Sequence, residues 1–332
     1  MLVGACSEGD PGAGNAAAGN AGAGAVDESP ASAVAALDAL LTVSVDDHRA
    51  VAAAATALEQ SIEPCPSDSA RVQVAWTTLA EAWDRASVLA LKPQVDVRLE
   101  SLVDAWPIDT AKIDAAIAEG LSTDVAYESL GSTARGLGAL EYLIFDARPL
   151  TAERCAFVGA ATRSLVTAME AMAESLNGER AVLTTSDSSL VDMLAAIADS
   201  VYRLCDNELA MPAGLLVSGA PASPESIHQI GSGRATDRLR VRLEASRRAF
   251  DTGIQPIIEA RFGEPSAQMN EALAETADSF AQLSENLATA IVDQPDAIAD
   301  AVARCQNARR TIPTNVAATL GVTLVVPVGD GD

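Results

Sequence analysis

The chain has 332 residues and a formal net charge of −24, from 46 acidic and 22 basic residues. Such a surface repels nucleic acid and anionic lipid, which makes both unsuitable as direct partners. Hydrophobic residues make up 49% of the chain but aromatic residues only 3%, and much of the apolar content is alanine, the best helix former. The composition predicts a tightly packed helical protein, long enough for one large or two medium domains.

The N-terminal segment carries a lipoprotein-like cysteine. Cys6 follows the small-residue run 2–5 that precedes the lipidated cysteine of a bacterial lipoprotein signal, although the usual basic and apolar stretches are missing upstream. Residues 7–33 are rich in Gly, Ala, Asn and Ser, a composition that cannot bury enough apolar surface to fold. We therefore predict that residues 1–33 are a truncated signal with a lipidation site at Cys6, followed by a disordered linker. The alternative is a Gly/Ala-rich terminus with an incidental cysteine.

From residue 34 onward, apolar residues recur at helical spacing almost to the end of the chain. The pattern predicts helices over 34–41, 46–62, 69–89, 95–105, 113–118, 136–145, 152–176, 189–210, 235–250, 254–262, 265–292, 295–312 and 316–320. No Gly-rich phosphate loop precedes a helix, and no run of eighteen apolar residues suggests a membrane span. So many helices exceed one four-helix bundle but suit two. We predict an all-α fold with a short irregular C-terminal tail, divided into an N-terminal bundle (34–180) and a C-terminal bundle (181–332).

Four further cysteines, Cys65, Cys155, Cys205 and Cys305, permit three disulfide pairings in an oxidising compartment. Cys155 and Cys205 lie on segments that are predicted to be adjacent helices, whereas Cys65 and Cys305 lie at opposite ends of the folded region. We therefore expect the pairs Cys155–Cys205 and Cys65–Cys305. A zinc site is the weaker interpretation, because no two of these cysteines are closely spaced and the chain has only 2 histidines.

Several short motifs follow one another in a recognisable order: Trp76, Trp83, Trp106-Pro107, 135–143, 154–157, 209–214, 232–234 and 320–324. In this order they resemble the motifs of the imelysin-like family of bacterial envelope proteins. The resemblance covers about residues 34–332 and implies two packed four-helix bundles, with the helix over 136–145 near their interface. It also implies export to the periplasm, often with a lipid anchor. The implied role is in iron or haem uptake, with iron or haem as the transported ligand and envelope uptake components as partners.

The chain departs from the family at its signature, Gly-x-His-x-x-Glu, which maps to Gly136, Gly138 and Glu141. Residues three apart share a helix face, so a histidine and a glutamate at this spacing can hold one metal ion. With Gly138, only the carboxylate remains, and a catalytic zinc needs three protein ligands. His48 is expected at a solvated helix start, and His228 in a loop from which it could approach the other bundle. We therefore predict no catalytic residue and no metal site. A metallopeptidase and a ligand-free envelope scaffold are the alternatives.

Two roles are open for Glu141. Its carboxylate could be hydrogen-bonded to a nearby arginine, such as Arg135 or Arg234, because a buried carboxylate must be paired or protonated. Alternatively, these three residues and Ser232 line a cleft between the bundles that holds an anion, a small ligand or a weakly bound cation. Gly138 would then leave room for a close approach of backbone, or it would simply pack against a neighbouring helix. We predict Glu141, Gly138, Arg135, Ser232 and Arg234 as the ligand-binding residues.

Overall fold

The computed structural model describes residues 30–324, except 67, 121, 122, 147, 187 and 265. Within these residues the regular elements are all helical and no β-strand is present, which confirms the predicted all-α class. No helix in this part of the chain is both long enough and apolar enough to cross a membrane. The predicted linker extends to residue 33, but residues 30–33 are helical in the structure. The rest of the linker, the predicted lipidation site Cys6 and the C-terminal residues 325–332 lie outside the described residues.

The helices follow one another along the chain in two parts. The first part forms α1 (Pro30–Ser61), α2 (Ala70–Ala86), α3 (Lys92–Asp96), α4 (Leu99–Val103), α5 (Thr110–Ala118), α6 (Asp124–Glu128), α7 (Gly136–Phe145), α8 (Ala152–Gly178) and α9 (Arg180–Thr185). The second part forms α10 (Ser189–Tyr202), α11 (Ala235–Ala249), α12 (Gln255–Phe262), α13 (Ala267–Ala281), α14 (Leu287–Asp293), α15 (Pro295–Thr311) and α16 (Ala318–Leu320). Three segments are π-helical: π1 (Arg203–Ala210), π2 (Phe250–Ile254) and π3 (Ile312–Ala317).

The N-terminal helix group consists of α1, α2, α7 and α8. Helix α1 has 32 residues, so it is about 48 Å long. It packs along both α2 and α8 through a stripe that includes Leu37, Leu41 and Leu58, which are at most 3% exposed. Helix α7 is shorter and contacts α2 and α8. Eight of its ten residues are buried, among them Gly138 and Glu141, so the signature helix belongs to the core of this group.

The C-terminal helix group consists of α10, α11, α13 and α15. Helix α13 packs against α11 and α15, and α10 contacts the same two helices. The two groups meet where α11 crosses α2 and where π2 contacts α1. This arrangement brings the second part of the chain against α2 and α7. The division into domains at residues 180 and 181 stays a prediction.

The π-helical segments extend three helices of the C-terminal group. A proline lies inside each segment or two residues after it: Pro212 follows π1, Pro256 follows π2 and Pro313 lies in π3. Proline lacks an N–H donor and its ring crowds the carbonyl four residues earlier. A widened turn relieves this crowding, as the hydrogen bond from Met211 N to Asp206 O (2.8 Å) shows at the end of π1. The predicted helix over 189–210 is therefore α-helical only as far as Tyr202.

Two predicted helices are broken in the structure. The segment 95–105 forms α3 and α4, which are separated at Arg98, a residue in the left-handed region with φ 51°. The segment 265–292 is divided into α13 and α14, because the Asn286 side chain accepts a hydrogen bond from Thr289 N and starts a new helix. The helices α6 and α9 were not predicted, since five or six residues carry too little periodicity to identify a helix.

The predicted disulfide pairing is wrong. The structure joins Cys65 to Cys155 and Cys205 to Cys305, with Cα–Cα distances of 5.9 and 5.4 Å. Helices α1 and α8 run antiparallel, so the chain that leaves α1 meets the first turn of α8. Likewise, π1 packs against α15, which brings Cys205 to Cys305. Each bond therefore ties two segments of one helix group, whereas both predicted bonds would have joined the two groups.

Candidate functional site

The signature helix α7 begins at a position that only glycine can occupy. Gly136 has φ +73°, and a Cβ atom there would lie 2.2 Å from the carbonyl oxygen of Val103. Its N–H donates to the Tyr127 hydroxyl at 2.8 Å. These contacts fix the start of α7, so Gly138 and Glu141 lie one turn apart near the loop 104–109 and the loop 227–233.

Ile108 fills the space beside Gly138. A Cβ atom at Gly138 would lie 2.5 Å from Ile108 Cγ2, a distance that real Cβ contacts essentially never show. An imidazole at this position would therefore need Ile108 to move, since packed cores do not absorb extra atoms without strain. Gly138 is thus a packing glycine, although its neighbour is a loop side chain and not a second helix.

Glu141 is buried and bonded to backbone. Its side chain is covered by the loop 227–233, and the residue is only 4% exposed. Carboxylate Oε1 accepts a hydrogen bond from Ser232 N at 2.7 Å, and Gly231 lies next to the carboxyl group. Burial raises the pKa of Glu141, and the bonds from Ser232 oppose this shift without cancelling it.

Neither of the two predicted arginines is a hydrogen-bond partner of Glu141. Arg135 donates instead to Glu128 O (3.1 Å), with its guanidinium over the Tyr127 ring. Arg234 donates to Gln229 Oε1 at 2.9 Å. The predicted site residues are thus only partly brought together: Ser232 contacts Glu141, Arg234 supports the same loop, and Arg135 has other partners.

The loop 227–233 is held firmly over Glu141. Gln229 adopts a left-handed conformation with φ 56° and is 3% exposed. Its backbone carbonyl accepts from the Ser232 hydroxyl at 3.1 Å, and its side chain accepts from Arg234. Glu141 therefore faces a structured cover contributed by the second part of the chain, and neither an open cleft nor an arginine.

A buried ion network, which was not predicted from the sequence, lies at the meeting of the two helix groups. Its centre is Arg238 on α11, which is 2% exposed. Arg238 forms a bidentate interaction with Glu208, in which Nε (2.9 Å) and Nη2 (3.1 Å) each donate to one carboxylate oxygen. Its Nη1 lies 3.0 Å from Asp84 Oδ1 and 2.8 Å from Asp104 Oδ2. One arginine thus joins α2, the loop after α4, π1 and α11, an arrangement that we call the Arg238 network.

Two further arginines belong to the network, and one of them is Arg234, whose Nη1 lies 3.7 Å from Asp84 Oδ2. Arg242 is fully buried, with Nη1 3.0 Å from Glu208 Oε1. Burial alone would raise the pKa of Glu208, but the charges of Arg238 and Arg242 outweigh it and hold that pKa well below the usual range. Asp84 differs, because burial outweighs its arginine neighbours and raises its pKa to about 6. Glu208 is therefore the firmly ionised member of the network.

One signal in the sequence could have revealed these arginines. Arg238 and Arg242 are four residues apart on α11, on the same stripe as Ala235, Ala245 and Ala249, which are all buried. An arginine pair on a stripe of small residues must find carboxylate partners inside the protein. Which carboxylates these are could not be deduced, because Asp84 and Asp104 are more than a hundred residues away in the chain.

The two histidines occupy different surroundings. His48 is fully buried, with Nδ1 2.7 Å from Ser44 O and Nε2 3.1 Å from Gln94, so the predicted solvated helix start is wrong. His228 lies against the Trp106 ring, with the ring centroids 5.1 Å apart. Burial, followed by the charge of Arg238, lowers the pKa of His228. Burial also lowers the pKa of His48, so both imidazoles are favoured in the neutral form at neutral pH.

The donor set does not suit a metal centre. Among the described residues, no three His, Cys, Asp or Glu side chains are placed to hold one ion. The carboxylates of the Arg238 network are committed to arginine, and Glu141 to Ser232 N. Glu141 can accept a further hydrogen bond or, when protonated, donate one.

Comparison with known proteins gives a consistent pattern. The family model described as Peptidase_M75: Imelysin matches residues 38–312. The iron-regulated protein A of Synechococcus elongatus is 27% identical over 180 residues, which is 50% of this chain and 49% of that protein. The similarity thus spans about half the length of this curated relative.

Two solved structures share the fold. An imelysin-like protein from Psychrobacter arcticum 273-4 superposes with a TM-score of 0.77 at 19% identity, over 90% of this chain and 99% of that one. A putative iron-regulated protein A precursor from Parabacteroides distasonis gives a TM-score of 0.73 at 11% identity, over 88% and 95% of the two chains. At such identities the likeness concerns the fold alone.

Proposed function

The chain belongs to the imelysin family, as its motif order predicts, and we propose that it is a non-catalytic binding or accessory protein in iron or haem acquisition. Iron or haem would be the cargo, and envelope uptake components the partners. The iron-related part rests on the relatives, because two of them carry the name iron-regulated protein A. The proposal that the protein is non-catalytic rests on the surroundings of Gly138 and Glu141.

The observation that carries the proposal is the contact between Gly138 and Ile108. Where the family signature has an imidazole, this chain has no side chain, and Ile108 Cγ2 occupies the space. Glu141 is left without the second ligand three residues earlier on its helix face, and it bonds to Ser232 N instead. A catalytic zinc needs three protein ligands and an open position, so these residues do not suit metallopeptidase chemistry.

The cover over Glu141 suggests how a ligand would be held. Within the loop 227–233, Ile230 is 37% exposed, whereas Gln229 and Ser232 point inward to hydrogen-bond partners. A ligand that reaches the carboxyl group would use the hydrogen-bonding capacity that the Ser232 N–H leaves free. Arg234, which donates to Gln229, is the predicted cation that supports this loop. Glu141, Ser232 and Arg234 are therefore the proposed binding residues, with Gly138 as a packing residue.

We further propose a periplasmic location and a lipid anchor at Cys6. The two disulfides support an oxidising compartment, since such bonds seldom persist in the cytosol. The anchor rests on the residues around Cys6 alone. Labelling of cells with palmitate, for the native chain and for Cys6→Ser, tests it: label in the first and none in the second supports the anchor, and no label in either contradicts it.

Calorimetric titration tests the binding role. Purified protein is titrated with ferrous iron, ferric iron and haem, in parallel with Glu141→Gln and with Glu271→Gln, whose exposed side chain lies away from the site. We expect one-to-one binding of one of these ligands by the native chain and by Glu271→Gln, and at least about tenfold weaker binding by Glu141→Gln, as for the loss of a charge-assisted contact.

Two outcomes would contradict the proposal. Stoichiometric zinc together with proteolysis that a chelator abolishes would establish the enzymatic alternative. If none of the three ligands binds, the alternative of a ligand-free scaffold is favoured. Iron or haem binding that Glu141→Gln does not weaken would keep the role in iron acquisition but remove Glu141 from the site.

A further inference from the structure

A cavity of about 530 Å³ lies between α3, α9 and α10, away from Glu141 and the Arg238 network. Cavities that enclose small organic ligands in proteins commonly have about 300–1,000 Å³. The walls come from both parts of the chain, with Val95 on α3, Val182 on α9 and Ala195 on α10. None of its lining residues belongs to the proposed binding residues, so it is a separate candidate site.

The walls of the cavity are mainly hydrocarbon. Val95 is 59% and Val182 65% exposed, both among the most exposed large aliphatic side chains of the described residues. The half-buried Leu183 contributes more apolar surface, and the small side chain of Ala195 on α10 leaves space in the wall. An apolar group in the cavity would remove the two valines from water, which is favourable in proportion to the area covered.

The rim of the cavity is negatively charged. Glu179, Asp192 and Asp199 all line it, and Lys92 is its one basic lining residue. Lys92 is paired with Asp96 at 2.6 Å, and the charge of Glu179 acts on it as well. Asp199 is paired with Arg203 Nε at 3.0 Å, whereas Asp192 is exposed and has no ion-pair partner within the described part of the chain.

We propose that this cavity binds a small organic cation, namely an amine on an apolar body. The hydrocarbon walls suit the body, and Asp192 with Glu179 suits the ammonium group. A haem or another carboxylate-bearing molecule suits the rim poorly, because its anionic groups would meet Glu179 and Asp192. The site therefore goes beyond the proposed role in iron or haem acquisition, and its failure would leave that role untouched.

Three indole probes of nearly equal size test the charge preference: tryptamine (cation), tryptophol (neutral) and indole-3-acetate (anion). Calorimetric titration of the full chain should show one-to-one binding of tryptamine, binding of tryptophol at least about fivefold weaker, and the weakest binding for indole-3-acetate, as expected for rim charges. Equal binding of tryptamine and tryptophol, or no binding of tryptamine, would overturn the proposal.

Two sets of variants locate the binding. The pair Glu179→Gln/Asp192→Asn should weaken tryptamine about fivefold or more, and the matched pair Glu264→Gln/Glu271→Gln, which removes two exposed carboxylates elsewhere, should leave it unchanged. Equal weakening by both pairs would mean general attraction to an acidic surface and would overturn the site.

A filled cavity should bind neither the cation nor the neutral probe. Ala195→Phe places a ring into the cavity from α10, and circular dichroism confirms that the helices persist. Tryptamine binding that survives this change contradicts the site. If Ala195→Phe does not fold, the charge variants above still decide the question, because their side chains lie at the rim.

Discussion

Glu141 and Glu208 are both buried carboxylates near the meeting of the two helix groups, but their partners differ. Glu208 is bound by Arg238 and lies 3.0 Å from Arg242, and its pKa lies well below the usual range. Glu141 accepts one backbone N–H and no arginine, and burial raises its pKa. A carboxylate neutralised by arginine holds helices together, whereas one bonded only to backbone keeps capacity for another partner.

The largest expected effect is a loss of stability when the Arg238 network is disrupted. Arg238→Met leaves Asp84, Asp104 and Glu208 buried without their shared cation. Removal of one partner from a buried ion network typically costs about 3–5 kcal/mol, so the free energy of unfolding in urea should fall by that amount. Arg247→Met is the control, because its side chain is 51% exposed and its loss should cost at most about 1 kcal/mol. Equal losses of unfolding free energy for the two variants would show that the Arg238 network does not stabilise the fold.

Removal of the negative charge of Glu208 should have the next largest effect. Glu208→Gln keeps the shape but leaves two arginines under-neutralised, so we expect a loss of about 2–4 kcal/mol near pH 7. Because the pKa of Glu208 is lower in the folded chain than its ordinary 4.5, the native chain's advantage is full above that pH and declines as the pH falls through the folded pKa. Urea unfolding between pH 3 and 7 measures this, and an advantage that grows on acidification would contradict it.

The packing at Gly138 should have an intermediate effect. Gly138→Ala places a Cβ atom against Ile108 and should destabilise by about 1–3 kcal/mol, although alanine is about 1 kcal/mol better in a helix. Gly178→Ala, in α8 with nothing near its would-be Cβ, should instead stabilise by up to about 1 kcal/mol.

A double-mutant cycle with Ile108→Ala isolates the contact. We expect the two changes together to cost about 1 kcal/mol less than the sum of the single changes, because the smaller side chain frees the space that the new methyl group needs. Additive costs in thermal or urea unfolding would show that Ile108 does not fill the histidine position.

The smallest effect on stability is expected for Glu141→Gln, below about 1 kcal/mol, because the amide oxygen can still accept Ser232 N–H. Its pH dependence should have the opposite sign to that of Glu208. The folded pKa of Glu141 is raised above 4.5, so the native chain loses stability relative to the variant as the pH rises through the folded pKa. Paired unfolding curves at pH 4 and 8 check this, and a difference that favours the native chain more at pH 8 would be contrary to it.

Local features of the fold were predictable from the sequence. The helix predicted over 136–145 is found as Gly136–Phe145, and that over 152–176 as Ala152–Gly178, because strong periodicity and flanking Pro and Gly residues mark their ends. Pairings between distant segments were not predictable. The disulfides and the carboxylate partners of Arg238 depend on which helices run antiparallel, and helical periodicity does not contain that information.

In the candidate site, too, local features were predictable and contacts between distant segments were not. Gly136, Gly138 and Glu141 could be placed on one helix from their spacing. The sequence could not show that Ile108 fills the missing imidazole position, because Ile108 lies in a loop between α4 and α5. Of the two roles left open for Glu141, the one with an arginine partner is wrong, because its hydrogen-bond partner is the backbone N–H of Ser232. Loop conformation decides which donors reach a buried carboxylate.

Anomalous diffraction at the zinc edge, from crystals of the native chain grown with zinc, tests the central claim most directly. With Ile108 beside Gly138 and Ser232 N on Glu141, we expect no zinc peak within bonding distance of the Glu141 carboxylate. A fully occupied zinc held by Glu141 and His228 would show that the chain builds a metal centre without the signature histidine, and would contradict the account.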